Sequence, residues 1–246
     1  PLFERTIRSI SPHTVIFSDI GPDIRWVGNE KGIAGTTNWN RLDTAGFGRG
    51  AGAPVPDTLN QGNRFGKAWI PAECDVSIRP GWFWHAEEDS KVKSPVELFH
   101  LYMKSVGRGA SFLLNVPPDT RGLIHEQDSA SLVGFQQLLG SAFASPLGKY
   151  RSNRQAIGFP KAAAVNTVVL EEDLRAGQMV AAFELLLEKA DGSVETIKGT
   201  TIGHKRIVCF PDASLKSLRL RITESDGRPV IKRVAAYKLP ADLLVM

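Results

Sequence analysis

Short apolar runs alternate with segments of helical periodicity up to about residue 150. Residues 14–17 and 111–116 are continuous apolar stretches, which predict strands buried on both faces. Residues 2–10 and 127–142 have the spacing of helices. Another helix should begin at Ser94, where Ser-Pro-Val-Glu supplies an N-cap, a first-turn proline and a capping-box glutamate, and should end near Gly107. This succession predicts an α/β barrel, whose chemistry lies at the carboxyl ends of its strands.

Two regions depart from this pattern. Residues 28–66 are rich in Gly, Asn and Thr, and we expect a long loop that is functional or mobile. After a linker at residues 150–153, strand-like runs without helices follow one another, with turn signals such as Asp191-Gly192 and Asp226-Gly227 between them. They predict an all-β unit, an antiparallel β-sandwich over residues 149–246, after a barrel portion over residues 1–148. The runs are residues 165–170, 179–187, 194–199, 205–210, 217–222 and 230–237.

Composition excludes several classes of function. A length of 246 residues with 42% hydrophobic and 23% charged residues indicates a folded chain with a substantial core. The net charge of +4 is spread along the sequence, so nucleic-acid binding is not expected, and no apolar run is long enough for a membrane helix. The histidines lack paired spacing, so no metal site is expected, and a disulfide between Cys74 and Cys209 has little support.

One segment concentrates the chemistry. Residues 71–85 are Pro-Ala-Glu-Cys-Asp-Val-Ser-Ile-Arg-Pro-Gly-Trp-Phe-Trp-His, and up to Ile78 the spacing suits a strand, on which Glu73 and Asp75 share one face. Indole rings can cover the apolar face of a sugar while charged groups bind its hydroxyls. We therefore interpret this segment as part of a carbohydrate site, although a buried strand followed by core tryptophans is the plainer alternative. Its polar and aromatic candidates are Glu73, Asp75, Arg79, Trp82, Trp84 and His85.

Glycoside hydrolysis usually needs two carboxyl groups, which flank the scissile bond. Glu73 and Asp75 come from one face of one strand, so they would supply one catalytic group and one hydroxyl contact. Glu30, close to Arg25 and Trp26, is a second candidate, but on composition alone a solvated loop glutamate is the better interpretation. The residues alone therefore predict a carbohydrate site without a complete catalytic pair.

Three motifs carry a resemblance that extends over essentially the whole chain. They are residues 25–32 (Arg-Trp-Val-Gly-Asn-Glu-Lys-Gly), residues 71–83, and residues 113–119 (Leu-Leu-Asn-Val-Pro-Pro-Asp) followed by Gly122. In this order they resemble α-L-fucosidases of glycoside hydrolase family 29, and most of all the branch that cleaves α-1,3/1,4-linked fucose. The resemblance implies the C-terminal part of a (β/α) TIM-like barrel followed by a β-sandwich. It also implies a retaining double-displacement mechanism, no cofactor and a fucosylated oligosaccharide or glycoconjugate as substrate.

The resemblance assigns roles to several residues. Glu30 corresponds to the acid/base glutamate, and Glu73 would contact the branching sugar or be the acid/base instead. Trp82 resembles the aromatic wall for fucose, with Trp84 as second choice. Arg25 is a possible further contact. The other expected substrate contacts are Trp26, Asp75 and Arg79, the last of which could equally form a structural pair with Asp75.

The family's nucleophile is an aspartate in a Trp-Phe-Asp-Gly type motif, and this motif does not occur in the 246 residues. Because the chain also begins at Pro1, we expect a fragment that lacks the N-terminal half of the barrel and is inactive alone. Enzymes of this kind are commonly exported, so the resemblance implies a periplasmic or extracellular location. The rival hypothesis is a carbohydrate-binding protein that catalyses no hydrolysis.

Overall fold

The computed structural model describes residues 2–150 and 156–246. Over residues 2–150, four helices and seven short strands follow one another, and a 3-10 helix covers Ala86–Lys91. The helices are α1 (Leu2–Ile10), α2 (Pro56–Gln61), α3 (Pro95–Lys104) and α4 (Glu126–Phe143). The strands are β1 (Phe17–Ser18), β2 (Ile24–Trp26), β3 (Arg41–Leu42), β4 (Ala68–Trp69), β5 (Ala72–Ser77), β6 (Ser111–Asn115) and β7 (Gly148–Tyr150).

Four of these strands form a parallel sheet in the order β1-β2-β5-β6. Helix α3 lies in the connection from β5 to β6, as parallel pairing requires. Its N-terminus is the predicted capping box, in which the Ser94 hydroxyl accepts from the Glu97 backbone N–H and the Glu97 carboxylate accepts from that of Ser94. Because the four strands are parallel, their carboxyl ends meet at one edge of the sheet. The α/β character of this part is confirmed, and its sheet consists of four strands.

The outer strands of this sheet differ from the prediction. The run at residues 14–17 contributes only Phe17 to β1, and Val15 is 63% exposed, so it is not a strand buried on both faces. In β6, Leu113 is 44% exposed. Among the described residues β1 and β6 are the two edges of the sheet, and each has a neighbouring strand on one side only.

The predicted loop at residues 28–66 is not structureless. It contains β3, which pairs with β4, and the six-residue helix α2. A two-residue strand and a six-residue helix are too short to show a hydrophobic period, so the sequence pattern did not indicate them.

The strands after residue 148 form one antiparallel sheet of six strands, in the order β10-β9-β11-β8-β12-β7. Hydrogen bonding is continuous across all six strands in the described part, so the antiparallel pairing is confirmed, and the layout as a sandwich of two layers stays a prediction. The runs at 205–210 and 217–222 are two halves of a single 20-residue strand, β11. Shifts of register between Cys209 and Ala213 and between Leu215 and Ser217 interrupt its pairing with β8. The further bounds are β8 (Ala156–Glu172), β9 (Val180–Lys189), β10 (Val194–Gly199), β11 (Arg206–Ser225) and β12 (Ile231–Tyr237).

Residues 151–153 of the predicted linker lie outside the described residues, whereas Tyr150 belongs to β7 and pairs with Val234 of β12.

Alternate residues of the large sheet enter two different cores. Val168 and Leu170 of β8 pack into a cluster made only of residues from the sheet and its connections. Val169 between them points to the opposite face, where α3 and α4 pack on the sheet. Phe143 of α4 meets the ring of Tyr237 edge-on, with 5.3 Å between the ring centroids. The helices that flank the parallel sheet are thus joined to the antiparallel sheet by an apolar interface.

Candidate active site

Strand β5 separates its side chains into a buried and an open face. Ala72 and Cys74 are fully buried and pack against Val27, Ala34 and Ala110, and both of these strand residues have 0% exposure. Because successive side chains point to opposite faces, Glu73 and Asp75 both lie on the other face and are only partly buried. The predicted common face of these two carboxylates is present in the structure.

An indole from the neighbouring strand holds one of these carboxylates. Trp26 ends β2, which pairs in parallel with β5 and places Trp26 opposite Glu73. The indole Nε1–H of Trp26 donates to Oδ1 of Asp75 at 2.8 Å. The tryptophan therefore orients the Asp75 carboxylate, and one oxygen of that carboxylate is occupied.

Glu30 lies in the loop after β2 and meets a tryptophan from the turn after β5. The Nε1–H of Trp82 donates to Oε2 of Glu30 at 3.1 Å. Trp82 is 37% exposed, so part of its ring stays open to a ligand. Two loops that follow neighbouring strands thus bring together a carboxylate and an aromatic face.

Asn115, the last residue of β6, fixes the turn that carries Trp82. Its Nδ2 donates to the Trp82 carbonyl oxygen at 2.9 Å and to Oγ of Ser77 at 3.1 Å. Its supporting role depends on a contact 33 residues away, which no local pattern indicates.

The carboxylates influence one another. Burial raises the pKa of Glu73, and the negative charge of Asp75 raises it further. Burial also raises the pKa of Asp75; the hydrogen bond from Trp26 opposes that rise, and the charge of Glu30 adds to it. Glu30, Asp75 and Glu73 therefore form one electrostatically linked group. Such a group can hold or transfer a proton and can accept hydrogen bonds from hydroxyls.

This linkage predicts a pH-dependent gain of stability in Glu73→Gln. A carboxyl whose pKa is raised in the folded state makes folding less favourable as pH rises through its usual value near 4.3, and the cost remains at neutral pH. Removing the charge should raise Tm at pH 7 by about 1–2 °C. The difference from the parent protein should shrink below about pH 4, as measured by calorimetry. Glu87→Gln, at an exposed position, is the control. A Tm difference between Glu73→Gln and the parent protein that stays constant with pH would contradict a raised pKa of Glu73.

Arg25 does not belong to this site, which corrects its prediction as a substrate contact. Its side chain is 0% exposed, and burial lowers its pKa to about 10. The guanidinium donates to the carbonyl oxygens of Leu59 (2.7 Å), Trp39 (2.9 Å) and Ile70 and to Oδ1 of Asn38. All three of its nitrogens are engaged in holding backbone, so the residue is structural.

Arg79 and Trp84 form a separate cluster. The Arg79 side chain is fully buried, with Nε 3.0 Å from Asp128 and Nη1 2.9 Å from Asp89, so it pairs neither with Asp75 nor with a ligand as predicted. Burial lowers the pKa of Arg79, but the hydrogen bonds to Asp128 and Asp89 outweigh it and leave the pKa raised. The guanidinium carbon of Arg79 lies over the Trp84 ring, 6.0 Å from the ring centroid. The Trp84 ring also contacts the ring of His125. In the described part of the chain, no hydrogen bond, ion pair or ring contact joins either residue to Glu30.

Cys74 and Cys209 are both free thiols, so the disulfide is not formed. Within residues 2–150 and 156–246, no helix has the length and apolar content needed to cross a membrane.

Comparisons with known proteins agree with one another. Residues 38–140 match the family model described as Alpha-L-fucosidase. Alpha-L-fucosidase 1 of Arabidopsis thaliana is 34% identical over 94% of this chain and 53% of its own length. Putative alpha-L-fucosidase 1 of Oryza sativa subsp. japonica is likewise 34% identical, over 92% of this chain and 50% of its own length. The chain thus spans about half the length of the curated relatives it matches.

Solved structures share the fold. The crystal structure of a glycoside hydrolase 29 family member from an unknown rumen bacterium superposes with a TM-score of 0.87 at 36% identity, over 99% of this chain and 46% of that one. A putative alpha-L-fucosidase from Bacteroides thetaiotaomicron gives 0.84 at 31% identity, over 97% and 60%. The matching family model and the curated relatives are described as α-L-fucosidases, and the rumen bacterial structure belongs to glycoside hydrolase family 29, so the similarity of this chain is to the α-L-fucosidases of that family.

Proposed function

We propose that the protein to which this chain belongs releases α-L-fucose from glycans by a retaining double displacement, with α-1,3/1,4-linked fucose as its substrate. One observation carries the proposal: Glu30 is held by the Trp82 indole beside the carboxylates of β5, at the carboxyl end of a parallel sheet. This arrangement supplies a proton-transferring group, an aromatic surface and hydroxyl acceptors within one small region.

In this proposal Glu30 is the general acid/base. It protonates the glycosidic oxygen as the bond to the anomeric carbon breaks, and it later takes a proton from the water that releases fucose. The hydrogen bond from Trp82 fixes Oε2 and leaves Oε1 for the glycosidic oxygen. Glu73 is the alternative acid/base, supported by its raised pKa, and otherwise contacts the branching sugar.

The remaining side chains bind the sugar. The exposed part of the Trp82 ring forms the apolar wall against fucose, and Asp75, oriented by Trp26, accepts hydrogen bonds from hydroxyls. Trp26 itself acts through Asp75, since its indole N–H is already used. Trp84 contacts substrate only if its loop departs from the cluster around Arg79.

The nucleophile in this proposal is an aspartate outside these 246 residues. Retaining enzymes place the two carboxyl groups about 5–5.5 Å apart on opposite sides of the bond. Glu73 and Asp75 share one face of β5, and Asp75 is hydrogen-bonded to Trp26. Neither carboxylate is therefore suited to attack the anomeric carbon from the side opposite the acid/base. The chain alone would then be inactive. The four parallel strands would belong to a larger (β/α) barrel ending near residue 148, in a protein that is exported.

The test is the stereochemistry of hydrolysis. The longest protein that contains this chain, incubated with an aryl α-L-fucoside, should release fucose that appears first as the α-anomer in a proton NMR time course. The 246-residue chain should bind fucosylated glycans without releasing fucose. If the longer protein also binds without hydrolysis, the rival carbohydrate-binding function is correct. If the β-anomer forms first, the double displacement is wrong.

A further inference from the structure

Two arginines lie side by side where the parallel sheet meets the antiparallel one. Arg108, between α3 and β6, forms an isolated antiparallel bridge with Arg206, the first residue of β11. Both hold the backbone of one loop: Arg108 Nη1 donates to the Ala34 carbonyl oxygen at 2.7 Å, and Arg206 Nη1 donates to that of Thr36 at 2.5 Å.

This pair has no carboxylate partner. Within the described chain, no Asp or Glu oxygen lies at ion-pair distance from either guanidinium, whereas Arg64, Arg79 and Arg121 each contact two carboxylates. Burial lowers the pKa of Arg108, and burial together with the charge of Arg108 lowers the pKa of Arg206 to about 10. Two partly buried like charges without a counter-charge are unfavourable, and an anion would offset this cost.

One donor of the pair is also unused. The Nε–H of Arg206 is buried and has no acceptor among the described protein groups. Arg25 is the instructive comparison, because it also lacks a carboxylate but donates through Nε, Nη1 and Nη2 to four protein oxygens. Arg25 is therefore complete as a backbone anchor. Arg206 is engaged through Nη1 and keeps a buried donor without a protein partner.

Both arginines line the same cavity. Its volume is about 150 Å³, and its other walls come from neighbouring side chains of α3, β11 and the C-terminal residues. Since one water occupies about 30 Å³ in the liquid, the cavity has room for a group of a few non-hydrogen atoms. Besides the arginines it is lined by Thr36, Met103, Ile207, Val208, Cys209, Val245 and Met246.

We propose that Arg108 and Arg206 form a binding site for a small tetrahedral oxyanion, inorganic phosphate or sulfate, at the junction of the two sheets. The guanidinium groups supply N–H donors in the planar arrangement that suits such oxygens, and their charge matches the ligand. The bound ion joins the loop at residues 34–36 to β11, so it stabilises the contact between the two sheets. The site is separate from the carboxylates of β5 and does not depend on the proposed hydrolysis.

The test compares Tm in phosphate and in chloride at equal ionic strength and pH 7. Phosphate at tenfold excess over its Kd should raise Tm of the parent protein by about 3 °C or more. Arg206→Met and Arg108→Met should lose most of this rise. Arg219→Met, an exposed arginine on the same strand, should keep it. In case the methionine variants do not fold, Arg206→Lys retains the charge without the planar donors and should weaken phosphate binding about tenfold by calorimetry.

Sulfate in place of phosphate should give a comparable rise, because the site selects shape and charge. Equal values of Tm in phosphate and chloride for the parent protein overturn the proposal. So does a phosphate effect of full size in both Arg206→Met and Arg206→Lys, since the ion would then bind elsewhere.

Discussion

Replacing Glu30 by glutamine in the longest protein that contains this chain should lower kcat on a fucosylated glycan by about 10²–10⁴-fold, because the amide can neither protonate the leaving oxygen nor activate water. On an aryl fucoside with a good leaving group, cleavage of the glycosidic bond needs little protonation. The loss of rate should therefore appear in the second step, in which water releases fucose. Azide, which needs no general base, should then restore the rate and yield a fucosyl azide of retained configuration. The measurement is steady-state kinetics with and without azide.

Variants of β5 decide between the two candidate acids. Glu73→Gln should raise KM more than it lowers kcat and should show no azide rescue, if Glu73 contacts a branching sugar. Asp75→Asn keeps an acceptor for the Trp26 indole and should behave similarly. Azide rescue in Glu73→Gln, together with unchanged turnover in Glu30→Gln, would transfer the role of acid/base to Glu73.

Asp128→Ala should destabilise the protein by about 3–5 kcal/mol, the usual result of leaving one partner of a buried ion pair unmatched. Asp128 and Arg79 both have fully buried side chains, and their Nε–Oδ2 distance is 3.0 Å. In the variant, the guanidinium keeps Asp89, whose side chain is 30% exposed. For a protein of this length, Tm should fall by about 6–20 °C in a calorimetric scan.

Two controls separate the unmatched charge from the loss of packing. The double variant Arg79→Met/Asp128→Leu removes both charges and should recover much of the lost stability. Asp173→Ala removes the partner of Arg175, which is 89% exposed, and should lower Tm far less than Asp128→Ala does. A double variant that is less stable than Asp128→Ala would mean that the cluster contributes through its charges.

The sequence predicted best the features that depend on neighbouring residues. The start of α3 followed from the Ser94–Glu97 capping box, although the helix ends at Lys104, before the predicted end near Gly107. The limits of β10 followed from a turn at Asp191-Gly192 and the strand-like run after it. The pairing of strands depends on residues far apart in the chain. The halves of β11 were therefore predicted as two strands, since a bulge and a turn produce similar local patterns.

Site residues were likewise predicted best where their placement depends on neighbouring residues. Alternation along a strand was sufficient to place Glu73 and Asp75 on one face, and a three-motif resemblance brought in Glu30. The functions of the arginines could not be predicted, because a guanidinium beside aromatic and acidic residues suits either a ligand or a buried ion pair. The partner of Arg79 that decides between them, Asp128, lies 49 residues later, on α4.

The apolar interface between α3, α4 and the antiparallel sheet bears on how such a protein can evolve. Phe99 and Phe143 stack with ring centroids 6.0 Å apart, and Tyr237 completes the contact from β12. A sheet acquired from another protein would have to present the same shape to these rings, or α3 and α4 would shift. Recombination at residue 148 is therefore constrained, and the two parts should be inherited together rather than exchanged as modules.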